Sequence, residues 1–187
     1  EIGLPFLMTK VPIKSGHIML ADVGASPDYE GRNLAKLALL GKIYAEHFLG
    51  IDPKIALLSN GEEEHKGNRT SRKAHSILSD KEYKGFINYV GHKEPKDLFE
   101  GNADVFICNG FTGNIFLKNI ESVAEVLEGE IKYSSKSNLR AKIGGLLLKP
   151  SLDRIKEKYS PDHYGGAHLI GFDKTIVIGH GTSNDIA

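Results

Sequence analysis

His17-Ile18-Met19-Leu20-Ala21-Asp22-Val23-Gly24-Ala25-Ser26 opens the segment that decides the fold. The apolar run Ile18–Ala21 has no alternation, as expected for a strand covered on both faces. It stops at a small polar loop. Leu34, Leu37, Ala38, Gly41, Ala45 and Phe48 then recur at three- and four-residue spacing, which predicts a helix ended by Gly50 and Pro53. Ile55-Ala56-Leu57-Leu58 repeats the strand reading and ends at Ser59-Asn60-Gly61. Strand, helix, strand over this span predicts parallel strands joined by a right-handed crossover.

The same alternation continues outward. A polar helix is expected over 68–78, a strand over Phe86–Val90, and another over Val105–Cys108 that ends at Asn109-Gly110. Ile120, Val123, Ala124 and Leu127 mark a further amphipathic helix. Near the C-terminus, Leu169–Phe172 and Thr175–Ile178 flank Asp173-Lys174 as a β-hairpin.

The chain has 187 residues, 40% hydrophobic and 26% charged, with 24 basic against 24 acidic side chains. That length suits one domain or a large piece of a bigger one. The composition excludes a disordered chain. No apolar run approaches the length of a membrane span. A balanced net charge argues against a nucleic-acid binder. Cys108 is the single cysteine, so no internal disulfide forms, a reducing compartment is expected, and the Asn68-Arg69-Thr70 glycosylation match is read as chance. Residue 1 is not Met and the last residues read as a loop before a helix, so a fragment is expected.

Four loops carry the chemistry. Three follow strands: Asp22–Ser26, Asn60–Asn68 and Asn109–Asn114. The hairpin leads into Gly179-His180-Gly181-Thr182-Ser183-Asn184. In an open parallel sheet, ligands bind off the carboxyl ends of the strands, and glycine loops before helices favour anions. No P-loop forms, because Lys66 precedes Gly67; no dinucleotide fingerprint, nucleophile elbow or metal-ligand spacing is present. Glu62-Glu63-Glu64 suits a metal, a solvated helix start, or carboxylates that position a lysine or move protons.

Together Asp22-Val23-Gly24-Ala25, Asn60-Gly61-Glu62-Glu63-Glu64-x-Lys66-Gly67, Gly110-Phe111-Thr112-Gly113-Asn114, Leu139–Gly144 with Leu146-Leu147-Leu148-Lys149-Pro150, and Tyr164-Gly165-Gly166-Ala167 resemble the phosphate acyltransferase (PlsX) family. Their order and spacing agree along nearly the whole chain. The family's opening Asp-Ala-Met-Gly-Gly-Asp segment is missing, which suggests that residues 1–187 are the C-terminal part of a single α/β acyltransferase domain. The resemblance implies transfer of a fatty acyl group from acyl carrier protein to inorganic phosphate, giving acyl phosphate for bacterial phospholipid synthesis. It implies a three-layer α/β/α sandwich with a mostly parallel sheet, like isopropylmalate dehydrogenase and phosphotransacetylase. It implies a cytoplasmic homodimer at the membrane periphery, without cofactor or metal. The alternatives are a coenzyme A-dependent phosphotransacylase and a non-catalytic membrane-binding homologue. The sequence departs from the family at Asn109, where Asp is usual, at Ser26, where Asn is usual, and at His168, where Pro is usual.

Phosphate attack on a thioester needs an anion cradle, a positive charge, oxyanion donors and a proton for the leaving thiolate. Backbone N–H groups of Gly61, Gly110 and Gly113 suit the cradle, and Lys66 the charge. Asn60, Thr112 and Asn114 suit the oxyanion, and His180 or Asp22 the proton. Gly24, Glu62, Glu63, Gly67 and Ser183 complete the expected substrate-binding set, with Asn109 at the family's carboxylate position. Residues 132–159 form a basic amphipathic helical hairpin: from Lys132 to Lys158, eight Lys/Arg stand against two acidic residues, a net +6. Leu139, Ile143, Leu146 and Leu147 share one face, suited to anionic lipid, acidic carrier protein or a second subunit. Pro150 is expected to break that helix, with a restart over Ser151–Tyr159.

Overall fold

The computed structural model describes residues 3–159 and 166–179. The elements are β1 (Phe6–Ile13), β2 (Gly16–Ala21), α1 (Gly31–Leu49), β3 (Lys54–Leu58), α2 (Arg69–Leu78), α3 (Lys81–Lys84), β4 (Asn88–Lys93), α4 (Pro95–Glu100), β5 (Val105–Ile107), α5 (Gly110–Ser134), α6 (Leu139–Tyr159), β6 (Ala167–Ile170) and β7 (Ile176–Ile178). The seven strands form one sheet in the order β4-β3-β5-β2-β1-β6-β7.

The expected α/β fold is present. β2, β5, β3 and β4 are parallel neighbours. Their alternate side chains feed two cores, one on each face. Met19, Ala21, Ile55, Leu57, Val105 and Ile107 pack with Leu34, Leu37 and Ala38 of α1. Ile18, Leu20, Ala56, Leu58 and Phe106 pack with Leu98 of α4 and Phe116, Leu117 and Ile120 of α5. This double burial is why the strands read as unbroken apolar runs.

The other half of the sheet is antiparallel. β1 lies between β2 and β6 and runs against both, and β7 pairs antiparallel with β6. The alternation of strands and helices did not predict β1, because Lys10 and Pro12 interrupt its apolar pattern. Lys10 places its ammonium 4.5 Å from the Phe48 ring centroid, covering apolar surface with its stem. β6 reaches only Phe6–Met8, so Pro12 lies on an open stretch where a missing N–H is tolerated.

Three further expectations are corrected. The strand expected over Phe86–Val90, β4, spans Asn88–Lys93; Phe86 is 74% exposed, with its N–H held by Tyr83 O after the α3 turn. Gly110–Asn114 is not a loop but the first turn of α5, capped by the Asn109 side chain. Pro150 does not break α6. No residue of α6 is buried, so losing one backbone bond disrupts no packing around it.

The helical hairpin is not contained within 132–159 as expected: it is formed by the whole of α5 with α6 and turns over residues 135–138, because α6 runs unbroken through Pro150. Glu128 of α5 pairs with Lys132 and with Lys156 of α6, so the two helices run back along each other. Leu139, Ile143, Leu146 and Leu147 are 74, 54, 73 and 75% exposed, and Val126 and Leu127 of α5 are exposed as well. His180, Ser183 and the rest of 180–184, with Tyr164 and Gly165, lie outside the described residues.

Candidate active site

The three strand-end loops converge because β2, β3 and β5 are parallel and adjacent. Leu57 and Ile107 are register partners, as are Ala21 and Ile107. Ser59–Gly67, Cys108–Gly110 and Asp22–Ser26 therefore leave the same sheet edge side by side.

Asp22 organises the first loop. It is fully buried. Its Oδ1 accepts from Leu7 N (3.0 Å), Gly24 N (3.1 Å) and Ala25 N (2.9 Å). Its Oδ2 accepts from Ser26 N (2.8 Å) and the Tyr29 hydroxyl (2.7 Å). A buried carboxylate is tolerated only with such a shell. Burial, then the hydrogen bond and charge of Asp22, push the Tyr29 phenol well up, so it stays a donor.

The first turn of α5 sits directly on this loop. Gly110 N donates to Ser26 O at 2.8 Å, and Gly113 N bonds Asn109 O at 2.9 Å. A Cβ at Gly110 would stand 2.5 Å from Ser26 O and 2.7 Å from Asp22 Oδ2; one at Gly113 would overlap the Asp22 carbonyl oxygen. These glycines therefore serve close packing, and both N–H groups expected in the anion cradle are bonded within the protein. Asn109 Oδ1 accepts from Thr112 N (2.9 Å), while its Nδ2 donates to Asp28 Oδ1 (3.2 Å). Asn114 is exposed and faces Gly24, whose absent Cβ would lie 3.6 Å from Asn114 Cγ.

The second loop closes on itself. Gly67 N donates to Asn60 Oδ1 at 2.8 Å, and Lys66 N to Glu63 O at 2.9 Å. Gly67 has φ 81°, which only glycine adopts freely. The Lys66 stem folds across Gly61, where a Cβ would meet Lys66 Cγ at 2.7 Å and Glu63 Oε2 at 2.9 Å. A hydrogen bond from its own backbone holds the Glu63 carboxyl below the usual range. Glu62 pairs with Lys93 at 2.9 Å. His92 is buried and shares Nδ1 with Glu63 O at 3.3 Å, and its ring lies 4.5 Å from that of His75. Asn68 caps α2 by accepting from Ser71 N.

The structure thus brings together Asp22, Gly24, Asn109, Gly110, Thr112, Gly113 and Asn114, with Asn60, Gly61, Glu62, Glu63, Lys66 and Gly67 at the neighbouring strand end. Sequence reading missed Tyr29, Asp28 and His92, because none belongs to a motif and each gains meaning only from its spatial partner. Cys108 is buried, burial pushes its thiol up, and it makes no reactive thiolate. Among the described residues no cluster of His, Cys, Asp and Glu suits a metal ion, and no helix is long and apolar enough to cross a membrane.

A family model described as "Fatty acid synthesis protein" matches residues 1–187. The chain is 39% identical over 188 residues to a phosphate acyltransferase of Halothermothrix orenii, covering 100% of this chain and 56% of that protein. It is 39% identical over 187 residues to one of Clostridium novyi, covering 100% and 55%. It is 38% identical over 187 residues to one of Campylobacter jejuni, covering 100% and 56%. The chain therefore spans about half the length of the curated relatives it matches. Among solved structures, the EutD phosphotransacetylase from Staphylococcus aureus aligns with a TM-score of 0.51 at 21% identity, covering 67% of this chain and 42% of that one. A phosphotransacetylase from Streptococcus pyogenes aligns at 0.51 and 19%, covering 65% and 42%. These two likenesses establish the fold.

Proposed function

The chain belongs to the fatty acid synthesis protein family, and from that membership we propose that its protein transfers a fatty acyl group from acyl carrier protein to inorganic phosphate. One C–O bond forms between a phosphate oxygen and the thioester carbonyl carbon, the C–S bond breaks, and the product acyl phosphate feeds phospholipid synthesis. One observation carries the reading. Three polar loops converge at one carboxyl edge of the sheet, with a half-buried lysine folded over one of them.

Lys66 supplies the positive charge for phosphate, steered by Glu63 beside it. The side chains of Asn60, Thr112 and Asn114 serve the oxyanion that develops at the carbonyl. Asp22 uses five hydrogen bonds to tie the 22–26 loop to Leu7 and Tyr29, so it acts as anchor. The proton for the leaving thiolate then falls to His180 or to phosphate itself. Asn109 fixes the α5 start. The exposed apolar faces of α5 and α6 support contact with a second copy and with an anionic bilayer, and the net +6 charge supports the latter.

The test uses the full-length protein with phosphate, hydroxylamine and either a long-chain acyl carrier protein or the matching acyl-coenzyme A. Acyl hydroxamate from the carrier substrate is expected. Product from acyl-coenzyme A alone would replace the carrier with coenzyme A, and no product from either would overturn the reading.

A further inference from the structure

Asp22 and Asp28 both stand in the segment between β2 and α1, and their surroundings differ. Asp22 is fully buried, with both oxygens engaged. Asp28 is exposed. Its Oδ1 accepts from Tyr29 N at 2.8 Å and from Asn109 Nδ2 at 3.2 Å. Its backbone carbonyl accepts from the Ser26 hydroxyl at 3.0 Å. The carboxylate is therefore held by one oxygen beside the N-cap of α5, and neither of the bonds that orient it uses Oδ2. Asn109 cannot turn away, because its own Oδ1 accepts from Thr112 N.

We propose that Asp28 is a specificity-determining residue of this mouth, accepting a hydrogen bond through Oδ2 from the P–OH of bound phosphate. This rests on the reading of the three-loop edge as the phosphate site. The chemistry is selective. Near neutral pH phosphate always carries at least one proton, whereas sulfate carries none. A carboxylate facing P–OH gains a short charge-assisted bond. Facing sulfate, the same carboxylate meets only like charge and rejects it. Lys66 attracts both anions through their shared charge, so it gives affinity without discrimination. Asn109 completes the arrangement: its amide donates to Asp28 where a second carboxylate would repel it.

The experiment is titration of inorganic phosphate and, separately, inorganic sulfate into the full-length protein by calorimetry, for wild type, Asp28→Asn and Lys66→Ala. Asparagine at 28 keeps an oxygen for Tyr29 N and Asn109 Nδ2, and a thermal melt checks that the fold is retained. Wild type is expected to prefer phosphate. Asp28→Asn should weaken phosphate by about ten- to a hundredfold, the loss typical of a hydrogen bond to a charged group, and should strengthen sulfate. Lys66→Ala should weaken both in parallel. A folded Asp28→Asn protein with an unchanged phosphate-to-sulfate ratio would overturn the proposal, as would wild type binding the two equally. The two readings separate cleanly. Selective phosphate binding without acyl phosphate formation refutes the acyl-transfer reading and supports this one. Acyl phosphate formation with an unchanged ratio in Asp28→Asn refutes this one alone.

Discussion

The Tyr29 hydroxyl donates to Asp22 Oδ2 at 2.7 Å beneath the loop that ends β2. Four backbone N–H groups supply the rest of that carboxylate's partners, one of them from Leu7 of β1. One buried charge thereby ties the antiparallel half of the sheet to the loop at the site. Tyr29→Phe removes a donor from a buried carboxylate and leaves the ring in place. It should cost about 1.5–3 kcal/mol of stability, read from denaturant unfolding. An unchanged midpoint would show that Asp22 does not depend on this hydroxyl.

The glycines of α5 divide into two kinds. A methyl group at Gly113 would overlap the Asp22 carbonyl oxygen, whereas Gly129 has open space around its missing Cβ. Gly113→Ala should therefore destabilise by about 1–3 kcal/mol, as overpacking does. Gly129→Ala should gain up to about 1 kcal/mol through helix propensity. Comparing the two unfolding curves checks this, and equal effects would contradict the packing described here.

Acid should weaken the fold through its half-buried histidines. Burial, then the charge of His92, lower the His75 pKa below the ordinary 6.5. Burial, then Lys10, lower that of His168, whose Nδ1 hydrogen-bonds the Tyr44 hydroxyl. With folded values below the unfolded one, the unfolded chain takes up protons first as pH falls. Stability is then fully present above 6.5 and is lost as pH drops through the folded values. His75→Gln should flatten that decline, measured by chemical unfolding on either side of pH 6.5. A wild-type curve that rises on acidification would have the wrong sign.

The helical hairpin yields a divided outcome. If the Leu147 face lies on lipid, Leu147→Asp should abolish flotation with anionic liposomes, and wild-type flotation should weaken as salt screens the basic residues. If the same face joins two subunits, the mutant should sediment as a monomer. A monomeric mutant that still floats would remove the membrane role of that face. Loss of both properties would mean that one surface serves both and that membrane binding requires the dimer.

The parallel strands were legible because residues such as Leu20, Leu57 and Phe106 are buried between helices on both faces, leaving apolar runs that need no context. β1 was not legible, because Lys10 and Pro12 are accommodated by Phe48 and by a short neighbouring strand. Gly110–Asn114 read as a loop, since two glycines in five residues oppose a helix. Close packing on Asp22 overrides that propensity, and the Asn109 cap starts the turn. Asp22 was recognisable as important from its loop, but its five hydrogen bonds were not. Asp28 carried no signal at all until the fold set it against Asn109.

Phosphorus NMR of full-length protein incubated with long-chain acyl carrier protein and inorganic phosphate addresses the acyl-transfer account most directly. The account predicts that the phosphate resonance declines as an acyl phosphate resonance grows. It also predicts that Lys66→Ala, folded as judged by its melt, slows this at limiting phosphate by about ten- to a hundredfold. Release of free fatty acid with the phosphate signal unchanged would contradict it, because water and not phosphate would then be the acceptor.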